Sequence, residues 1–186
     1  MIEFTNVSKK YANGGIGLHN INIQIESGEF LFVIGPSGAG KSSFLKMINC
    51  QEKATGGEIK VNGIEITRLS RFKIPKLRRQ IGVVFQDFKL LKKMTVYQNV
   101  AFALEAIGLP KEEVRQKALD ALTLVGLEGK LLFYPNQLSG GEQQRVAIAR
   151  AIANNPDIII ADEPTGNLDS NNSRELMELF SKINHD

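Results

Sequence analysis

The chain has 186 residues, 42% of them hydrophobic and 23% charged, with a formal net charge of +3. This is an ordinary globular composition, with room for one α/β domain and a subdomain. Its single cysteine, Cys50, excludes an internal disulfide. No apolar run approaches the roughly 20 residues that span a bilayer, and Met1–Thr5 lacks the basic-then-apolar pattern of a signal peptide. A cytosolic protein is expected, placed at a membrane face only if a partner holds it there. In chain order, Ile2–Phe4, Leu18–Ile25, Phe30–Ile34 and Gly57–Val61 read as short strands, the third of them buried. Gly14-Gly15, Ser27-Gly28, Gly56-Gly57 and Asn62-Gly63 punctuate them. Ser43–Ile48 reads as a helix. Arg68, Arg71, Lys73, Lys76, Arg78 and Arg79 then form a basic cluster without an acidic residue, followed by Lys89, Lys92 and Lys93. Such a cluster is either a solvated helix face or an attraction for anionic groups. No nucleic-acid module accompanies it, so no nucleic-acid partner is expected. Ile81–Phe85 is a further buried strand. Val96 to about Leu127 is helical, with Pro110 opening a new helix whose first turn holds Glu112 and Glu113. A helix from Gly141 to about Asn154, a buried strand Ile158–Ala161 and a helix Asn172–Ile183 complete the pattern. About 87–150 reads as a helical insert between two strand-bearing lobes.

Three motifs carry chemistry. Gly35-Pro36-Ser37-Gly38-Ala39-Gly40-Lys41-Ser42 fits the phosphate-loop spacing between an apolar run and a helix. Glycines let backbone N–H groups fold around phosphate oxygens at the helix N-terminus. Lys41 would neutralise the outer phosphates, and the Ser42 hydroxyl would complete a Mg²⁺ site. Second, Ile158–Ala161 ends in Asp162 and Glu163. Asp162 suits Mg²⁺ held through its water shell, and Glu163 suits a general base on an attacking water. Third, Leu138-Ser139-Gly140-Gly141-Glu142 precedes an apolar helix. Ser139 can cap that helix, and the glycines leave its amides open to an anion.

Together these motifs resemble the ABC ATPase family, whose signature is LSGGQ or LSGGE, over essentially the whole chain. The resemblance implies an α/β P-loop NTPase fold, the ABC nucleotide-binding domain, with an antiparallel β subdomain and a helical subdomain. It implies Mg²⁺-dependent hydrolysis of ATP in a head-to-tail homodimer. Gly35 through Ser43 would bind ATP. Ser139, Gly140, Gly141 and Glu142 would contact the ATP of the partner subunit. Tyr11 resembles the aromatic residue that stacks on adenine. Gln86 resembles the glutamine that reaches Mg²⁺ and the attacking water, and Asp169 resembles the aspartate that faces the partner subunit, a role that an Asx turn at the same residue can accompany. Pro75–Leu91, Thr95–Val100 and Asp162–Asp169 are similar to the family's cell-division ATPases. Lipoprotein-release and macrolide-export ATPases share much of this pattern. An integral membrane partner is implied, docking beside Phe88, Leu90, Leu91 and Met94. Family domains continue past the last helix into a strand and a switch histidine. His185 follows a helix and does not receive that role, so the chain is expected to be C-terminally truncated, marginal in fold and a poor ATPase. A non-hydrolysing ATP-binding interaction module is the alternative expectation.

Overall fold

Ile2 and Phe4 point one way along the first strand, β1 (Ile2–Lys10), as period-two alternation requires. The next buried residue is Val7 rather than Asn6, because Asn6 takes the left-handed conformation (φ 51°) and shifts the ladder by one. Gly57 is fixed by this bulge, since a Cβ there would lie 2.4 Å from the Asn6 carbonyl oxygen. The computed structural model describes residues 1–185 and divides into two units, about Met1–Arg78 and Arg79–Ile183. In the first unit, β1 pairs antiparallel with β2 (Ile16–Ile25) and β3 (Gly56–Val61), and β4 (Ile64–Glu65) extends the edge, giving the order β2-β1-β3-β4. Phe44 of α1 (Lys41–Ile48) packs on Phe4, ring centroids 4.6 Å apart, beside buried Met47, Ile59 and Val61. A short α2 (Ile74–Arg78) closes this unit. Arg78, one of the basic cluster, is not merely solvated. Its guanidinium donates to the carbonyls of Asn49 and Cys50 at the end of α1. Burial pushes the half-buried Cys50 thiol up, which suits a packing residue.

The second unit holds parallel β5 (Ile81–Val84) and β6 (Ile158–Ala161), in register from Ile81↔Ile158 to Val84↔Ala161. Gly82 lets α5 (Gly140–Ile152) approach β5, for a Cβ would sit 2.5 Å from the Ala151 carbonyl oxygen. Val96, Val100 and Leu104 of α3 (Val96–Glu105) share a core with Val114, Ala118 and Leu122 of α4 (Lys111–Leu124). Val146 and Ile148 of α5, with Leu176 and Phe180 of α6 (Ser170–His185), complete it. In α3, α4 and α6 the i, i+4 spacing of these residues produces the apolar stripe.

Two expectations need correction. Phe30–Ile34 forms no strand, and its side chains are exposed, Phe32 to 65% and Ile34 to 90%. Its apolar pattern favours a strand. A strand also needs a ladder partner, and among the described residues Phe30–Ile34 belongs to neither hydrogen-bonded sheet. His185 does not follow a helix. It is the last residue of α6 and exposed. No helix among the described residues is long and apolar enough to cross a membrane.

Candidate functional site

In the first unit the phosphate loop ends on α1. Gly38 and Gly40 take φ of 81° and 93°, conformations that a side chain disfavours. Gly40 has a second constraint: a Cβ would lie 2.0 Å from the Gly17 carbonyl oxygen. Gly40 caps α1 without a side-chain bond, and the first turn carries no acidic residue. This helix end, with its amides and dipole, favours an anion. The Ala39 N–H donates to the Pro36 carbonyl at 3.2 Å, closing the loop's turn. Lys41 Nζ donates to the carbonyls of Gly35 (2.9 Å) and Pro36 (3.1 Å), which holds the ammonium over the loop. Ser42 and Ser43 follow in the first turn of α1.

Tyr11 is tethered beside this helix. Its hydroxyl donates to Glu52 Oε2 (2.8 Å) and lies 2.7 Å from Ser43 Oγ, which can then donate to it. Lys9 Nζ lies 5.1 Å from the ring centroid. Gly17 leaves the ring room, since a Cβ there would approach Tyr11 to 2.9 Å. The partly exposed ring is thus positioned by four neighbours.

The second unit gathers the remaining candidates at the carboxyl ends of β5 and β6, where ligands of parallel sheets bind. The last rung is Asp162 N–H donating to the Val84 carbonyl at 3.0 Å. Gln86 lies two residues beyond β5, and Asp162 and Glu163 directly follow β6. Glu163 is exposed in the left-handed conformation (φ 47°), and the Gly166 N–H donates to its carbonyl at 3.0 Å. Asn167 Nδ2 donates to the Gln86 carbonyl at 2.9 Å. A Cβ on Gly166 would come within 2.9 Å of Gln86 Nε2, so the two turns lie against each other. Asp169 caps the start of α6: Oδ1 accepts the Asn172 N–H and Oδ2 accepts Asn172 Nδ2. These bonds from Asn172 lower its pKa.

Ser139 caps α5 reciprocally with Glu142. Ser139 Oγ accepts the Glu142 N–H (3.3 Å), and Glu142 Oε2 accepts the Ser139 N–H (3.0 Å). Because Oγ accepts here, its own proton can donate outward. A Cβ on Gly141 would meet Asn172 Oδ1 at 2.8 Å, whereas one on Gly140 would lie 3.9 Å from the Asn167 carbonyl oxygen. Gln86, Gly166, Asn167 and Gly140 therefore form a chain of neighbours. The Lys130 ammonium, first, and the Ser139 N–H hold the Glu142 carboxyl below its usual range. A lowered folded-state value adds stability above the unfolded pKa and loses it as pH falls through the folded one. This cap is therefore intact throughout the neutral range.

Sequence reasoning missed two residues that support the site. Asn99, fully buried, accepts the Leu91 N–H through Oδ1 and donates through Nδ2 to the carbonyls of Leu91, Met94 and Thr95. Arg150 donates to the carbonyls of Phe88 (2.6 Å) and Lys89 (2.7 Å), both residues in left-handed conformation (φ 57° and 50°). The visible signal was a charge within the apolar run Ile148-Ala149-Arg150-Ala151-Ile152. Arg150→Ala is expected to destabilise the protein by about 1.5–3 kcal/mol, the scale of hydrogen bonds to a charged group. Denaturant unfolding checks this, and an unchanged midpoint would contradict the clamp.

The ABC transporter family description matches residues 18–166. The cell division ATP-binding protein FtsE of Bacillus subtilis is 54% identical over 185 residues, covering 100% of this chain and 81% of that protein. The methionine import ATP-binding protein MetN of Helicobacter pylori strain 26695 is 45% identical over 98% of this chain and 56% of its own length. Among solved structures, the dimeric ATP-binding cassette MJ0796, in a post-hydrolysis state bound to ADP and Pi, aligns with a TM-score of 0.88 at 44% identity. That alignment covers 99% of this chain and 83% of the other. With its phosphate loop, its paired strand-end carboxylates and its Ser-Gly-Gly-Glu helix cap, the chain belongs to the ABC transporter ATPase family, with the mixed α/β fold of the ABC nucleotide-binding domain.

Proposed function

We propose that the chain is the ATP-binding and ATP-hydrolysing subunit of a membrane complex, working as a homodimer with ATP held between copies. The observation that carries this reading is the row Gln86–Gly166–Asn167–Gly140, which joins water-positioning and signature residues on one unit. Gly35 through Ser43 bind the phosphates, Lys41 neutralises the outer ones, and Tyr11 stacks on adenine. Ser42, Gln86 and Asp162 offer a hydroxyl, an amide oxygen and a carboxylate, hard oxygen donors that suit Mg²⁺. When bound, the ion screens the phosphate charge. Glu163 accepts a proton from water as the water oxygen bonds to the γ-phosphorus and the bond to the β-phosphate oxygen breaks, leaving ADP and phosphate. Ser139, Gly140 and Gly141 donate to the γ-phosphate of the partner copy, Glu142 fixes their turn, and Asp169 faces the partner.

The likeness to FtsE supports a role in cell division. The proposed partner is an FtsX-type membrane protein, through which ATP-driven movement regulates peptidoglycan hydrolases, and the chain sits peripherally on the cytoplasmic face. Leu91 and Leu132 are exposed and suit the docking surface, whereas Leu90 packs on the helical core. Leu91→Ser with Leu132→Ser should abolish co-purification with FtsX and leave ATP affinity unchanged. Tyr11→Phe should keep ATP affinity within about threefold, while Tyr11→Ala should cost about 1–3 kcal/mol, the scale of base–aromatic stacking. Fluorescent-nucleotide titration measures both. The test of the function itself is steady-state phosphate release from Mg-ATP by the natural protein in membranes with FtsX. Release that tracks the protein supports it, and its absence overturns it.

A further inference from the structure

Lys130 has no part in the roles assigned so far. It ends a single 3₁₀ turn, Glu128–Lys130, anchored by buried Leu127, whose carbonyl accepts the Lys130 N–H at 3.0 Å. Its Nζ lies 5.7 Å from the Phe133 ring centroid and reaches Glu142 Oε1 at 2.5 Å. The other oxygen of the same carboxylate holds the Ser139 N–H. Lys130, Glu142 and Ser139 therefore form one relay that ends at the helix cap. The pair is partly exposed, side chains 36% and 28%, so its direct contribution to folding is small. Its charge matters more. An ionised carboxylate in the first turn of α5 occupies the same positive helix end that a phosphate would use. Uncompensated, it repels that phosphate.

We infer that Lys130 is a positioning and charge-compensating residue for the signature turn. Its ammonium cancels the Glu142 charge beside the amides of Gly140 and Gly141, and it fixes the carboxylate that orients Ser139. This rests on the proposed contact between the signature turn and the partner's ATP. Unlike a packing residue, Lys130 matters only while position 142 is charged. A neutral glutamine at that position keeps the cap geometry without the repulsion.

The test is a double-mutant cycle in the natural full chain carrying Glu163→Gln, reading by sedimentation the Mg-ATP concentration that gives half-maximal dimer. Lys130→Met should raise that concentration at least about tenfold, roughly the charge-pair coupling scale. In a Glu142→Gln background the same change should have less than about a twofold effect, and Lys130→Arg should restore the charged background to within about threefold. Equal losses in both backgrounds would show that Lys130 acts by packing on Phe133. No loss in either would show that it has no role. Thermal unfolding of each variant identifies a folding defect, and loss of rescue by a folded Lys130→Arg counts against the inference. If the Glu163→Gln protein with Lys130 intact never dimerises with ATP, the proposed sandwich fails first, and this inference falls with it.

Discussion

Glu163→Gln is expected to slow phosphate release by about 10²–10⁴-fold, the contribution of a positioned general base, while ATP remains bound. The amide has the shape of the carboxylate but cannot take the proton of the attacking water. Glu163 is exposed, and its backbone sits in the left-handed region held by the turn to Gly166. Glutamine can occupy the same turn, so the substitution removes chemistry and leaves the loop. Single-turnover measurement of phosphate release, beside a nucleotide titration, separates the two effects. A rate within threefold of the unchanged protein would remove Glu163 from the role of base.

Lys41→Met should weaken Mg-ATP binding by about 10–150-fold, corresponding to about 1.5–3 kcal/mol for a hydrogen bond to a charged group. Methionine keeps the apolar stem and deletes the ammonium. That ammonium also bridges the carbonyls of Gly35 and Pro36, so its loss loosens the loop as well as removing charge. Calorimetric titration reports the dissociation constant. An unchanged value would place the phosphates elsewhere.

Much of this site is legible in the residues because its physics is local. Ser139 and Glu142 stand at capping-box spacing, and the reciprocal bonds form. Pro110 with Glu112 and Glu113 marks a helix start, and α4 begins at Lys111. The phosphate loop declares itself through glycines whose positive φ values local geometry demands. The parts that were not legible depend on distant neighbours. The Asn6 bulge needs the room that Gly57 leaves about fifty residues on, and nothing near Asn6 announces it. Arg150 meets carbonyls 61 and 62 residues away. Asn99 shows in the sequence only as a polar interruption, and its four bonds depend on how residues 91–95 turn back. Phe30–Ile34 is the opposite case. Its local pattern is that of a buried strand, yet burial depends on a neighbour, and a local pattern does not supply one.

In the proposed assembly, ATP is held jointly by the phosphate loop of one copy and the signature turn of another. Sedimentation of the Glu163→Gln protein at saturating Mg-ATP, with and without Gly140→Glu, tests this most directly. Gly140 is exposed, so the added side chain places a carboxylate at the turn without entering the core. The predicted result is a nucleotide-dependent dimer for Glu163→Gln and a monomer for the double variant, with calorimetry showing the same ATP affinity per chain in both. A protein that stays monomeric with ATP bound, or a dimer indifferent to both nucleotide and Gly140→Glu, would contradict the shared site.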